Sequence, residues 1–177
     1  AGQGAARNRA VAEARGEFLT FCDGDDRVPT DAYAYLVETL RASGSDFAVG
    51  RARRFDATGL LGPARVRGVH GTDRRHVTAA EYPEAMHDLI LCNRVFRTDF
   101  WRSAVGAFPE GVVYEDHLPM VTAFVRARAF DLLQRTVYHW RVREDNTSTT
   151  QQRSTLQNLR DRIDARESAH ELLRTEA

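Results

Sequence analysis

The chain has 177 residues, of which 42% are hydrophobic and 28% are charged, as is ordinary for a globular domain. Its formal net charge at pH 7 is zero, so no overall positive field favours nucleic acid or an anionic membrane as a partner. No apolar run approaches the roughly 20 residues that span a bilayer, and no secretory signal opens the chain. We therefore predict one folded cytoplasmic unit with no nucleic-acid partner and no transmembrane segment.

The first predicted elements are a short helix and a buried strand that ends in acidic residues. Residues 4–15 place several alanines on one helical face, and residues 18–22 form an apolar run rich in aromatics. Asp23, Asp25 and Asp26 follow directly. Three like charges within four residues repel one another unless a hard cation or a hydrogen-bond network holds them. This strand end therefore predicts a metal site, with an Asp-rich turn as the alternative.

The next stretch predicts a helix, a strand and a long loop. Thr30 is a candidate N-cap for the helix, and residues 46–55 alternate in the manner of a strand. Residues 56–77 hold several glycines with little periodicity, which indicates a surface loop. The strand carries three arginines, Arg51, Arg53 and Arg54. They either bind a phosphate or form the solvent-exposed face of an edge strand.

A second acidic pair follows in the middle of the chain. Before it, Thr78 and Glu81 have the spacing of a capping box, although Pro83 is an equally good helix start. Glu115 and Asp116 then open an amphipathic helix. A carboxylate at a helix N-terminus is stabilised by the free amides and the dipole, which predicts a lowered pKa for Asp116 and a capping role.

The remaining apolar positions are assigned to the core and to the last two elements. Residues 131–142 predict a strand covered on both faces, and residues 155–174 predict a helix. That helix either docks on the domain, leads to a further domain or mediates homo-oligomer formation. Cys22 and Cys92 both lie in apolar settings, which predicts buried free thiols. Trp101 is assigned to core packing in preference to a sugar-binding platform.

Two motifs stand in a particular order. The first runs from Gly4 through Ala6-Arg7-Asn8 to Phe21-Cys22-Asp23-Gly24-Asp25-Asp26 and Pro29. The second is Phe108-Pro109-Glu110-Gly111 followed by Tyr114-Glu115-Asp116-His117. In these motifs the chain resembles the family 2 glycosyltransferases, and the resemblance covers nearly all residues from Gly4 to Ser148. It implies an α/β fold of the GT-A type, a Rossmann-like mixed sheet flanked by helices.

The resemblance also implies a reaction and a set of site residues. The reaction is the metal-dependent, inverting transfer of a sugar from a nucleotide-diphospho-sugar donor to a hydroxyl of a glycan or polyol acceptor. Asp23 and Asp25 would ligate a Mn or Mg ion, Asp26 would shape the loop, and Asp116 would be the general base. Together with these three loop carboxylates, the residues implied on the donor side are Arg7, Arg143 and Ser148.

The family usually has further strands before the first motif, so we expect residues 1–150 to form a partial GT-A domain and residues 151–177 a C-terminal helix. The expected role is synthesis of a cell-surface or wall polysaccharide, in the cytoplasm or at the inner face of the membrane. A non-catalytic GT-A-like module for assembly or acceptor binding is the alternative. A nucleotidyltransferase is less favoured, because the chain has no Gly-rich, Lys-containing phosphate loop.

Overall fold

The computed structural model describes residues 2–63, 68–143 and 155–176. The strands of the described chain are β1 (Phe18–Thr20), β2 (Phe47–Asp56), β3 (Gly59–Pro63), β4 (Arg74–Val77), β5 (Arg94–Arg97) and β6 (Phe130–Arg141). They form one sheet of order β1-β5-β2-β6-β4, in which β3 pairs with β2 outside that order. The β2–β6 pair is parallel and the other pairs are antiparallel, so the predicted mixed sheet is confirmed.

Helices flank this sheet as the predicted fold class requires. They are α1 (Gln3–Glu13), α2 (Ala32–Ser43), α3 (Thr98–Phe100), α4 (His117–Arg126) and α5 (Leu156–Glu176). The short α3 continues as a π-helical turn over Trp101–Val105, and a 3-10 turn covers Pro83–His87. Each predicted helix is therefore present, with bounds that differ from the predicted ones by a few residues.

The direction of the strands decides where functional loops can meet. Because β5 is antiparallel to both β1 and β2, and β2 is parallel to β6, the strands β1, β2 and β6 all run the same way. Their carboxyl ends therefore lie on one side of the sheet, which is where open α/β sheets bind ligands. The segment that follows β1 crosses this side and pairs with β6 through Arg27 and His139.

Aromatic side chains fill the space between the sheet and the helices. The ring of Phe47 in β2 lies 5.2 Å from that of Phe130 in β6 and 5.1 Å from that of Phe124 in α4. Trp101 is fully buried, and its ring lies 4.8 Å from Phe96 and 5.2 Å from Phe108. Trp101 is thus a core residue, as the sequence predicted, and does not form a sugar-binding platform.

Two predictions about the middle of the chain are wrong. Residues 56–77 do not form one long loop, because they contain β3 and β4, which pair with β2 and β6. The strand that carries Arg51 and Arg53 is not an edge strand, since β2 lies between β5 and β6. Sequence periodicity missed these contacts because β4 is short and exposed along most of its length, and its pairing depends on a distant strand.

The predicted helix starts are resolved by local hydrogen bonds. Asp31, and not Thr30, is the residue that precedes α2, and its side chain makes no capping bond. Thr78 and Glu81 do form the reciprocal bonds of a capping box: the Thr78 amide donates to the Glu81 carboxylate at 2.8 Å, and the Glu81 amide donates to the Thr78 hydroxyl at 3.3 Å. The helical turn itself starts at Pro83. The capping bonds and the start at Pro83 are therefore both present.

The two cysteines differ in exposure, which corrects the prediction of two buried thiols. Cys92 is buried, and burial raises the pKa of its thiol to about 12, with a further contribution from the charge of Asp23. Cys22 is exposed and free. The apolar run before Cys22 suggested burial, but β1 ends at Thr20 and the chain turns outward after Phe21.

A charged network is buried between the sheet and the segment before β5. Asp88 accepts hydrogen bonds from the Asn93 amide group at 2.7 Å, from the Ile90 amide at 3.0 Å and from Arg94 at 3.3 Å. His70 Nε2 lies 2.7 Å from Asp88 Oδ2, and its other ring nitrogen is hydrogen-bonded to a backbone carbonyl. Burial alone would raise the pKa of Asp88, but these partners hold it below its usual range.

The long helix α5 packs against α4 and is joined to it by an ion pair near its C-terminal end. Asn158 and Ala169 are its buried residues, and Arg126 of α4 donates to Glu176 at 2.7 Å. Leu159 and Ile163 on its outer face are each 44% exposed. The roles predicted for this helix, a link to a further domain or homo-oligomer formation, remain predictions. Among the described helices, none is long and apolar enough to cross a membrane.

Candidate functional site

Arg7 of α1 joins the two acidic motifs of the sequence. Its guanidinium lies 3.0 Å from Asp23 Oδ1 and forms a second ion pair with Glu115. The Arg7 and Glu115 side chains are only 14% and 8% exposed, whereas that of Asp23 is 42% exposed. Burial opposes the charge of Arg7, but the two carboxylates outweigh it and raise the pKa of the guanidinium. The predicted donor residue Arg7 is therefore fixed, and one face of Asp23 remains open to solvent.

Two neighbours of Arg7 place α1 against the second motif. A Cβ atom on Gly4 would lie 2.2 Å from the carbonyl oxygen of Pro109, so only glycine permits this approach. Asn8 donates to the carbonyl of Phe108 at 2.9 Å and accepts from its amide at 2.8 Å. The Asn8 side chain thus pairs with Phe108 as a neighbouring strand would, and it sets the position of the chain before Asp116.

Asp25 and Asp26 face different environments in the acidic loop of residues 23–26. The Asp25 side chain is 30% exposed and accepts from Arg143 Nε at 2.8 Å. Asp26 accepts from the Arg141 amide at 2.7 Å through one oxygen and from the Tyr138 hydroxyl through the other. Burial raises the pKa of Asp26, although these two hydrogen bonds act in the opposite direction. Asp25 is open to a ligand, whereas both oxygens of Asp26 are occupied.

Asp116 immediately precedes α4, but it does not cap that helix. Its side chain makes no capping hydrogen bond. Burial, with the charge of Glu115 as the next cause, raises the pKa of Asp116 to about 6. The lowered pKa predicted from the helix dipole is therefore wrong, because desolvation outweighs the dipole here. A carboxyl group with this pKa is mostly ionised at pH 7 and is well matched to accept a proton.

A groove opens beside Asp116, between α5 and residues 109–114. Its volume is about 380 Å³, and its lining includes the apolar Val112 and Val113 together with Asp161 and Asp164 of α5. Tyr114, which also lines it, has a positive φ of 62°, which is uncommon for a residue other than glycine. The Tyr114 hydroxyl donates to Asn158 of α5 at 3.0 Å, so this residue links the two sides of the groove.

The structure brings most of the predicted site residues to one side of the sheet. Arg7 contacts Asp23 and Glu115, and Arg143 contacts Asp25. Ser148 lies outside the described residues. Within the described ranges, no group of three or more His, Cys, Asp or Glu side chains is arranged to hold a metal ion.

The donor chemistry of the loop nevertheless suits a hard cation. Asp23 and Asp25 both present carboxylate oxygens that solvent reaches. Mg²⁺ is usually held by one or two carboxylates together with phosphate oxygens and water, and it seldom sits in a cage made by the protein alone. Two open carboxylates therefore fit an ion that arrives with a diphosphate.

Tyr138 is a site residue that the sequence analysis missed. It was assigned only to a buried strand, yet its hydroxyl contacts both Asp26 and the Asp23 amide. The available signal was a tyrosine within a predicted buried strand, because a buried tyrosine hydroxyl usually has a partner. The sequence pattern does not predict which residue that partner is, because Asp26 lies 112 positions away along the chain.

Comparisons with known proteins identify a family and a fold for the chain. The family model described as Glycosyl transferase family 2 matches residues 1–103. No curated protein sequence matches the chain.

Among solved structures, the chain is similar to S. aureus TarS 1-349 in complex with UDP-GlcNAc, with a TM-score of 0.70, 23% identity and coverage of 81% of this chain and 40% of that one. For S. aureus TarS 1-349 alone the TM-score is 0.67 at 21% identity, with coverage of 90% and 48%. A further structure of S. aureus TarS gives a TM-score of 0.66 at 23% identity, with coverage of 78% of this chain and 24% of that one. The chain therefore spans less than half the length of these structures, and at such identities the likeness shows the fold.

Proposed function

The chain belongs to glycosyl transferase family 2, and from this premise we propose that it forms the metal- and acceptor-side part of an enzyme that transfers a sugar from a nucleotide-diphospho-sugar to an acceptor hydroxyl. The observation that carries the proposal is the contact of Arg7 with both acidic motifs. This contact places the open carboxylates of Asp23 and Asp25 on the same side of the sheet as Asp116, a carboxyl group with a pKa of about 6.

On the donor side, Asp23 and Asp25 would hold a Mn or Mg ion against the diphosphate. Such an ion supplies positive charge that neutralises the leaving nucleoside diphosphate. Arg7 and Arg143 each pair with one of these carboxylates, which lessens the repulsion between the charges of the loop. A guanidinium also matches phosphate geometry, so Arg143, whose side chain is 45% exposed, would turn from Asp25 to the diphosphate when the donor binds.

On the acceptor side, Asp116 would act as the general base. Its carboxylate takes the proton of the acceptor hydroxyl as that oxygen bonds to the anomeric carbon of the donor sugar. The bond from the anomeric carbon to the diphosphate oxygen breaks at the same time, and the diphosphate leaves with the electron pair. Attack from the face opposite the leaving group inverts the anomeric configuration. The groove between residues 109–114 and α5, which begins two residues from Asp116, is the proposed approach for the acceptor.

The acceptor chemistry is proposed as a hydroxyl-rich glycan or polyol of a cell-surface or wall polymer. The lining of the groove includes apolar side chains and the hydrogen-bond acceptors Asp161 and Asp164. Hydroxyl groups can donate to these carboxylates while C–H faces pack on Val112 and Val113. Location in the cytoplasm, at the inner face of the membrane, is part of the same proposal.

The test is calorimetric titration of the chain with UDP, with and without Mn²⁺. UDP is the probe because S. aureus TarS was solved in complex with it. We expect Mn²⁺-dependent binding that Asp25→Ala abolishes. Asp31→Ala is the matched control, since Asp31 is 62% exposed and pairs with Arg135 away from the acidic loop, and it should bind as the unmodified chain does.

The opposite result is equally informative. If the unmodified chain binds UDP neither with nor without Mn²⁺, while its thermal unfolding remains cooperative, the donor-site proposal is wrong for these residues. A non-catalytic GT-A-like module for assembly or acceptor binding would then be the better description.

A further inference from the structure

The acidic loop is attached to β6 by hydrogen bonds along several consecutive residues. The amide of Arg27 donates to the His139 carbonyl at 3.0 Å, and the His139 amide donates back at 2.8 Å. At the preceding residue of the loop, Asp26 Oδ1 accepts a hydrogen bond from the Arg141 amide at 2.7 Å. The loop therefore takes its position from β6, although the sheet places β1, from which the loop emerges, three strands away.

Tyr138 is the side chain that completes this attachment. Its hydroxyl donates to Asp26 Oδ2 and accepts from the Asp23 amide, which lies 3.2 Å away. The Tyr138 side chain is 1% exposed, so neither contact can be replaced by bulk water without rearrangement. A further bond of 3.1 Å from the Asp26 amide to the Asp23 carbonyl closes the turn between the two residues.

We propose that Tyr138 is a positioning residue of the donor site: its hydroxyl holds the Asp23 backbone and the Asp26 carboxylate together, and so aims the Asp23 and Asp25 carboxylates at the metal–diphosphate group. This inference rests on the proposed function, because it assumes that these two carboxylates meet that group. Tyr138 itself touches no donor atom. Its effect passes through Asp26, whose two oxygens are both engaged by β6.

The test is Tyr138→Phe, which removes one oxygen and keeps the ring. Amide hydrogen exchange by NMR should show loss of protection at Asp23, whose amide is bonded to that oxygen. Calorimetry should show UDP affinity in the presence of Mn²⁺ falling about tenfold to a hundredfold, since hydrogen bonds to charged groups are worth about 1.5–3 kcal/mol. UDP affinity measured without Mn²⁺ should change much less. The ratio of the affinities with and without Mn²⁺ does not depend on the fraction of folded protein, so a loss of stability alone would leave it unchanged.

The matched control is Tyr35→Phe, which removes the same oxygen from a half-buried tyrosine of α2 whose ring stacks on Arg135 and not on the acidic loop. It should leave both the exchange of the Asp23 amide and the Mn²⁺-dependent affinity unchanged. A double variant with Asp26→Asn tests the route of the effect. If Tyr138 acts through Asp26, the two changes together should weaken binding little more than the stronger single change does.

Three outcomes separate the inference from the function on which it rests. Normal Mn²⁺-dependent UDP binding by Tyr138→Phe refutes the positioning role, even if the variant is less stable. Full additivity with Asp26→Asn also refutes it. Failure of the unmodified chain to bind UDP with Mn²⁺ refutes the proposed function itself, and the Asp23 exchange data then still report whether Tyr138 orders the loop.

Discussion

Replacing Asp116 by Asn is expected to abolish proton transfer and, at the same time, to stabilise the fold at neutral pH. Burial and the charge of Glu115 raise the pKa of Asp116 from an ordinary 3.8 to about 6. At 1.36 kcal/mol per pKa unit, ionising this group in the folded protein costs about 3 kcal/mol at most. Because water still reaches part of the side chain, we expect the neutral amide to gain about 1–2 kcal/mol at pH 8.

The sign of the pH dependence follows from the raised pKa. The folded protein binds the Asp116 proton more tightly than the unfolded chain does, so the penalty of ionisation is fully present above pH 6. It shrinks as the pH falls from 6 and disappears well below the unfolded value of 3.8, where the group is protonated in both states. The stability difference between Asp116→Asn and the unmodified chain should therefore be largest at pH 8 and smallest at pH 4.

The assay is thermal and urea unfolding of both proteins at pH 4, 5, 6, 7 and 8. For a chain of this length, about 1 kcal/mol corresponds to about 2–4 °C in Tm, so the expected gain at pH 8 is measurable. Glu115→Gln is the contrasting control, because it removes one of the two charged partners of the largely buried Arg7. That change should destabilise the fold by about 1–3 kcal/mol at pH 8.

Two results would contradict this reasoning. If Asp116→Asn is no more stable than the unmodified chain at pH 8, the carboxylate is well solvated or well bonded and its pKa is not raised. If the variant gains the same stability at every pH, the gain comes from helix propensity and not from charge. In either case the structural argument for Asp116 as a base poised near neutral pH is lost.

Two further predictions concern packing around the site. Gly4→Ala should destabilise the fold by about 1–3 kcal/mol in urea unfolding, because the new Cβ would lie 2.2 Å from the Pro109 carbonyl oxygen. Gly2→Ala is the control and should not destabilise the fold, because no atom lies within 4 Å of its new Cβ. Equal effects of the two changes would show that α1 does not pack as described. Iodoacetamide should alkylate exposed Cys22 in the native chain and leave buried Cys92 unmodified until unfolding, as peptide mass spectrometry will show; rapid labelling of both would contradict the structure.

Much of the fold could be predicted because its signals are local. The apolar run before Asp23 and the amphipathic pattern after Asp116 depend on neighbours within one or two turns of chain. The strands β3 and β4 could not be predicted in this way. Their pairing with β2 and β6 depends on residues far along the chain, and a short exposed strand carries no periodicity of its own.

The sequence by itself determined the order of most helices and strands, though not β3 and β4, as well as the family resemblance and the residue types at the site, since each of these depends on short local patterns. Only the tertiary structure decided which residues meet. Arg7 reaches Glu115 across 108 positions, and Tyr138 reaches Asp26 across 112. It also decided the sign of the pKa shift at Asp116, because the helix dipole is a local effect whereas desolvation depends on every element packed around the carboxyl group.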